Sequence, residues 1–377
     1  MFRLQKKYYL ISGVVIFLVS TGLITAYLLG AFEESSKFSF SKITLNGPDH
    51  ATTISYIDLD GDDDIDILGA AGSDNIFCWW ENIGEDMFLY HIISNSFYHA
   101  RILEGTDLDL DGDMDLVGST FDMNQLIAFI NNGTETFSHQ IITSSFHGGY
   151  GIEFADLNRD NYSDIVACAY YDNKVCWFEN NRNLTFTERI VTLNLGEPTQ
   201  SHPVDIDSDG DIDILAMGNT PGEIRLCVNN GTQSFQDQVI HLVPEMVHGA
   251  SAADIDDDGD LDIVGCTITG SGSIYWFEAL GSNNFELHSI TNDFEGVNYV
   301  MSQDFDLDGD ADVIASSFDC EEISVWENLG EGVFRKHIAV KFPAAYFKIV
   351  DIDGDNDLDF LSVTHHPPES ALFKNIS

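Results

Sequence analysis

Residues 254–264 read DIDDDGDLDIV, and the same pattern returns six more times along the chain. The other copies are DLDGDDDIDIL from Asp58, DLDLDGDMDLV from Asp107, DLNRDNYSDIV from Asp156, DIDSDGDIDIL from Asp205, DFDLDGDADVI from Asp304 and DIDGDNDLDFL from Asp351. Successive starts are 49, 49, 49, 49, 50 and 47 residues apart, so the repeats account for nearly all of the 377 residues beyond the first 34. A fixed period of this length is the signature of a repeat architecture, which has to be recognised before domains are counted from length.

Working outward from each acidic loop, four short apolar stretches recur. One enters the loop (TISYI at 53–57, SAA at 251–253) and a second leaves it (DILGAA at 66–71, DIVGC at 262–266). A third is aromatic and ends in turn residues, as in IFCWWENIG and KVCWFENN; the fourth begins with Phe, as in FLYHII and FTERIV. Turn residues separate all four and no sustained 3.6-residue period intervenes, which predicts four strands per repeat. Seven such units predict an all-β, seven-bladed β-propeller of four-stranded blades. The last repeat stops at Ser377 without a Phe-initiated fourth strand, and KFSFSKITL at 37–45 carries that pattern ahead of the first loop. The ring is therefore expected to close by pairing this N-terminal strand with the last blade, which removes exposed sheet edges.

Acids at positions 1, 3, 5 and 9 of a tight loop are what a hard cation with six to eight oxygen ligands requires. They are Asp58, Asp60, Asp62 and Asp66 in the first copy, and Asp107, Asp109, Asp111 and Asp115 in the second. The third offers Asp156, Asn158, Asp160 and Asp164, and the fourth Asp205, Asp207, Asp209 and Asp213. Asp254, Asp256, Asp258 and Asp262 follow, then Asp304, Asp306, Asp308 and Asp312, and finally Asp351, Asp353, Asp355 and Asp359. Five acids in nine residues repel one another by roughly 0.5–1 kcal/mol per pair in water. An EF-hand is excluded, because its twelfth position is Glu whereas Gly69 and Gly118 stand there, and a strand follows instead of a helix. Mg²⁺ seldom accepts an all-protein cage, so the expected cofactor is structural Ca²⁺, up to seven ions. Asn158, Arg159 and Tyr162 set the third loop apart, and it is expected to bind most weakly.

These loops, together with Trp177-Phe178-Glu179-Asn180 in the third strand, resemble the FG-GAP/VCBS repeat proteins over about residues 37–377. The resemblance implies propeller blades with calcium between the first two strands, as in the integrin α-subunit head. It also implies a range of roles: adhesion modules, sugar-binding lectins, and a few polysaccharide lyases or sugar dehydratases.

The balance of 63 Asp+Glu against 16 Lys+Arg, a net charge of −47, excludes nucleic acid as a partner, since phosphate binding needs clustered cations. Disorder is excluded too, because 44% of the residues are hydrophobic and 12% aromatic. Residues 1–7 carry Arg3, Lys6 and Lys7, and no charge follows from Tyr8 to Phe32. That run is long enough to cross a lipid bilayer as one transmembrane helix. The predicted organisation is a cytoplasmic tip and signal-anchor at 1–34, with a propeller outside the cytoplasm at 35–377; a cleaved signal peptide is the rival reading, giving a secreted protein.

His50, His99, His147, His202 and His248 lie just upstream of acidic loops, where fourth strands pass to first strands, and form a candidate catalytic or metal-binding cluster at one channel opening. Tyr98, Tyr150, Tyr299 and Tyr346 share that region and are candidates for stacking on sugar rings. His91, His288 and His337 recur as F-x-x-H, and with Trp79, Trp80, Trp177, Trp276 and Trp326 they read as blade packing. Of the six cysteines only Cys168 and Cys176 suggest a disulfide, and Asn132 and Asn230 begin glycosylation sequons. The function expected is non-catalytic binding of a glycan or an extracellular or envelope protein. A sugar lyase or dehydratase and a structural scaffold are the alternatives.

Overall fold

The computed structural model describes residues 15–20, 23–28, 37–48, 51–244, 246–268, 272–330, 332–365 and 367–377. The chain divides into two units, Met1–Lys37 and Phe38–Ser377. In the first, Val15–Ser20 pairs antiparallel with Leu23–Leu28. Part of the segment expected to form a transmembrane helix is thus a strand pair, and no helix among the described residues is long and apolar enough to cross a membrane. The rest of residues 8–32 lies outside the described residues.

The second unit is a seven-bladed ring of four-stranded antiparallel sheets. Blade 1 shows the plan: Thr53–Ile57, Asp66–Ala71, Ile76–Asn82 and Phe88–Ser94, hydrogen-bonded in that order. First strands of successive blades pack against one another all the way round, blade 7 meeting blade 1, so they line the central channel. Second strands such as Asp66–Ala71 and Asp213–Gly218 are buried at every position. They read as unbroken apolar runs because neighbouring blades cover both faces. Outer strands such as Phe88–Ser94 present one face to solvent.

The core is divided among the seams between blades. Trp80, Leu361 and Leu372 pack blade 7 on blade 1; Trp79 and Leu116 pack blade 1 on blade 2; Trp276 and Trp326 share the seam of blades 5 and 6. The tryptophans thus serve blade packing, as expected. His91 and His288 stack on Trp79 and Trp276, with ring centroids 4.7 and 4.6 Å apart, and donate through Nε2 to the carboxylates of Glu81 and Glu278 at 2.7 Å. His337 makes the same contact with Glu327.

The ring closes as the sequence anticipates. Phe40–Thr44 forms the outer strand of blade 7, with Phe40 opposite Asn375 and Thr44 opposite Ala371. The cysteines are all free. Cys168 lies opposite Val175 and Cys176 opposite Ala167, so the two thiols sit on adjacent register positions and are not bonded to each other.

Candidate functional site

Two regions carry chemistry, at opposite ends of the first strands: the acidic loops that follow them, and a cavity at their beginnings.

Each acidic loop is a backbone coil wound round its first carboxylate. Asp58 accepts the N–H of Gly61 at 2.9 Å and of Asp63 at 3.1 Å; Asp107 accepts those of Leu110 and Gly112 at 2.7 and 3.1 Å. The fourth and sixth positions have positive φ in every loop, for example 61° at Asp257 and 94° at Gly259. That backbone explains Gly or Asn at the sixth position in six of the copies, since left-handed conformations disfavour most side chains.

The ninth-position aspartates do something the spacing did not reveal. Asp66, Asp115, Asp164, Asp213, Asp262, Asp312 and Asp359 are buried, and each ties three strands together. One oxygen accepts the N–H of the loop's second residue, as Asp213 does from Ile206 at 3.2 Å. The other accepts from the third strand, as Asp213 does from Asn229 at 2.7 Å. Burial pushes six of these carboxyls up to about 7, and Asp262 up to about 6. The third-strand Asn extends the tie: Asn180 Nδ2 donates to Leu108 O in the preceding blade at 2.8 Å, and Asn328 Nδ2 to Ile255 O at 2.7 Å. Only the recurrent Asn of the W-F-E-N strand signalled this in the sequence.

The geometry of most loops suits a cation. Ligand oxygens of Asp58, Asp60 and Asp62 all lie within 4.8 Å of one another, as do those of Asp107, Asp109 and Asp115, of Asp205, Asp207 and Asp213, of Asp254, Asp256 and Asp262, and of Asp304, Asp306 and Asp308. Oδ1 of Asp109, Asp205 and Asp254 is buried with no hydrogen-bond partner. Such an oxygen requires a compensating partner, and a hard cation supplies one. The fifth-position carboxylates Asp111, Asp209, Asp258 and Asp355 each accept the N–H two residues on, which holds them in the loop.

Two loops carry cations of their own. In blade 3, Arg182 Nε donates to Asp160 Oδ2 at 3.0 Å, and Arg159 reaches Asp211 of the next loop at 2.7 Å. Slight burial works against the Asp160 charge, but the Tyr162 N–H and Arg182 hold its carboxyl below the usual range. Asn158 accepts from the Asp160 N–H, and Asp156 from those of Asp160 and Asn161. In blade 7, Lys374 Nζ lies 2.7 Å from Asp353 and also contacts Asp86, while Asp351 holds the N–H of Gly354, Asp355 and Asn356.

At the other end of the first strands is a cavity of about 300 Å³. In blades 2 to 6 the first strand breaks register by one residue, and the extra residues are Arg101, Gly151, Thr199, His248 and Asn298. All five line the cavity. A bulge kinks the strand and re-aims the residue there, so each of these five blades turns one residue to this opening. Deeper in, Lys348 Nζ lies 3.6 Å from Glu104, and His202 Nδ1 lies 3.6 Å from Glu153. Burial raises the Glu104 carboxyl to about 7. Burial opposes the charge on Lys348, yet Glu104 with Tyr346 and Glu153 holds it well above the ordinary lysine value. Burial also lowers His202, against the pull of Glu153, and brings His248 down to about 4, which leaves the His248 imidazole neutral at pH 7.

The five candidate histidines therefore do not converge. His202 and His248 line the cavity. His99 and His147 stand outside it, paired through Nδ1 with Asp122 at 2.8 Å and Asp172 at 2.9 Å. Their unequal distances from the loops place them on connections instead of strands. His50 lies outside the described residues. Tyr150, Tyr299 and Tyr346 line the cavity, while Tyr98 is exposed on the connection that leads into the first strand of blade 2. Tyr299 and Tyr346 pack on each other, centroids 4.7 Å apart, which removes them as open stacking faces.

A closed ring of seven blades with an acidic turn after every first strand defines a class of acidic-loop β-propeller. Models of the FG-GAP-like repeat match residues 107–167, 157–216, 205–265 and 304–362, and the chain belongs to that family. No curated protein sequence matches it. Among solved structures, a lectin from Agrocybe aegerita that recognises non-reducing terminal N-acetylglucosamine is 18% identical, covering 95% of this chain and 91% of its own, with a TM-score of 0.58. Virginiamycin B lyase from Staphylococcus aureus is 12% identical over 90% of this chain and 99% of its own, TM-score 0.61. BBS1N, solved with ARL6DN, is 10% identical over 89% and 97%, TM-score 0.64. At such identities the likeness is one of fold.

Proposed function

We propose that this chain is a membrane-anchored, calcium-binding propeller outside the cytoplasm that holds a glycan or a protein on the face opposite its acidic loops. The observation that carries this reading is the row of bulges in blades 2 to 6, which brings Arg101, Thr199, His248 and Asn298 to a single cavity mouth. Regular strands would pack without them, and bulges cluster where a side chain must be re-aimed. Propellers of similar fold bind a sugar terminus in one case and a protein in another.

Calcium, when bound, supplies the charge that cancels repulsion within each loop and ties its turn to the blade. Asp58, Asp60 and Asp62, with their counterparts in the other loops, would hold it. The ninth-position aspartates retain lone pairs for the ion after accepting two N–H groups. The uncharged run at 8–32, preceded by Arg3, Lys6 and Lys7, fits a signal-anchor with its N-terminus in the cytoplasm.

The test is a photo-crosslinking amino acid placed at Tyr98 on the cavity face, against one at Asp113 on the loop face, in intact source cells. Adducts at the first position and not the second support the reading; equal or reversed yields overturn it. A sugar lyase or dehydratase is the second reading, favoured by the pairing of His202 with Glu153 inside the cavity. Turnover of an oligosaccharide that His202→Ala abolishes would establish it.

A further inference from the structure

We propose that the cavity mouth and an aromatic shelf beside it form one binding surface for an uncharged saccharide chain, with one sugar ring at the mouth and the next rings on the shelf. This rests on the ligand-binding reading above and names its ligand class.

The shelf lies on the connections of blades 2 and 3. Tyr98 and Tyr171 are 59% and 61% exposed, high values for rings that have partners available. Phe121 is the hub: its ring lies 5.4 Å from His99, 5.2 Å from Tyr171 and 5.9 Å from Tyr150, and Tyr98 continues the row beyond His99 at 6.2 Å. Tyr170 closes the group, 5.5 Å from Tyr150 and 5.2 Å from Tyr171. Rings braced in this way offer a preformed apolar surface and lose little freedom when covered.

The shelf is continuous with the cavity. Tyr150 belongs to both, and Arg101, the bulge residue of blade 2, lies with its guanidinium 4.1 Å above the Tyr150 ring and donates to its hydroxyl. An occupant of the mouth would thus meet Arg101, Asn298 and His248, and an extension of it would pass the edge of Tyr150 towards the exposed ring of Tyr171.

Three features select the ligand. Alternating apolar rings and polar groups match pyranose units, whose C–H faces stack on aromatics while their hydroxyls both donate and accept. His99 and His147, each held by a carboxylate, add such partners along the edge. The cavity, at about 300 Å³, is at the small end of ligand pockets and suits a single ring better than a peptide anchor with its flanking chain. Charge settles the rest: the cavity-lining carboxylates Glu104 and Glu153 act on Lys348, and Arg101 adds a second cation to the lining, so the cavity carries balanced charge, while a chain at −47 repels polyuronates and sulfated glycans.

The test uses the full chain with calcium in a detergent that contains no sugar headgroup. Cellohexaose, mannohexaose and chitohexaose are titrated by calorimetry beside polygalacturonate. At least one neutral hexamer is expected to bind, with affinity reduced about tenfold or more by Tyr171→Ala and by Tyr98→Ala, and largely retained by Tyr171→Phe, which keeps the ring. Both alanine positions are exposed, and unchanged melting confirms that the variants fold. Binding of polygalacturonate alone, or no binding of any neutral hexamer, overturns the proposal. Binding that ignores both alanine substitutions overturns the shelf, while the crosslinking experiment judges the broader reading separately.

Discussion

Asp213 holds two buried N–H groups, those of Ile206 and Asn229, and replacing it by alanine leaves both without an acceptor. Each buried orphan costs about 1–3 kcal/mol, so Asp213→Ala should lower unfolding free energy by roughly 2–6 kcal/mol in denaturant titrations with chelator present. Asp209→Ala, at the exposed fifth position, should cost under about 0.5 kcal/mol under the same conditions and matter only when calcium is supplied. Equal losses for the two would mean that the ninth residue is a ligand and nothing more. The sequence displays both residues as members of one acidic motif. What separates them is the third strand, 16 residues away, which only the folded blade brings to the carboxylate.

At the scale of the loop and strand, the copies divide by whether they carry a cation of their own. Lys374 reaches from the third strand of blade 7 to Asp353, and Arg182 from the turn of blade 3 to Asp160. Lys374→Gln is expected to lower the melting temperature of the chelated protein and to raise the number of calcium ions counted by native mass spectrometry by one. A count unchanged by the substitution would show that Lys374 does not compete for that loop. The departure of blade 3 was legible in Asn158, Arg159 and Tyr162, whereas the role of Lys374 was hidden in an ordinary strand. The same limit governs the cavity. The strands themselves were legible from their period and turn residues, but a bulge at His248 or Arg101 adds one residue without altering the apolar pattern, so the convergence of those side chains was not.

For the whole molecule, seven buried carboxylates give the calcium-free protein an unusual response to pH. Their folded pKa values, raised by burial to about 6–7, stand above the unfolded value of about 3.9. Between those limits the folded chain binds more protons, so stability is greatest in acid and is lost as pH rises through about 7. With chelator, the protein should melt higher at pH 5.5 than at pH 8, and saturating calcium, which binds the deprotonated form, should shrink or reverse that difference in calorimetric scans. A higher melting point at pH 8 with chelator would contradict the assignment. Ring closure makes a second global prediction. Deleting residues 371–377 removes the partner of Phe40–Thr44 and part of the seam formed by Leu361 and Leu372, and should abolish a single cooperative transition.

That closure also sets an order of events during synthesis. The strand at Phe40–Thr44 leaves the ribosome before any blade exists, yet its hydrogen-bonding partner, Pro368–Asn375, is translated only after all seven acidic loops. Six blades can form on the nascent chain while this early strand waits with an unpaired edge. Translation that halts before residue 368 leaves the ring with an open seam, so an incomplete product would be exposed to quality-control proteases at that seam.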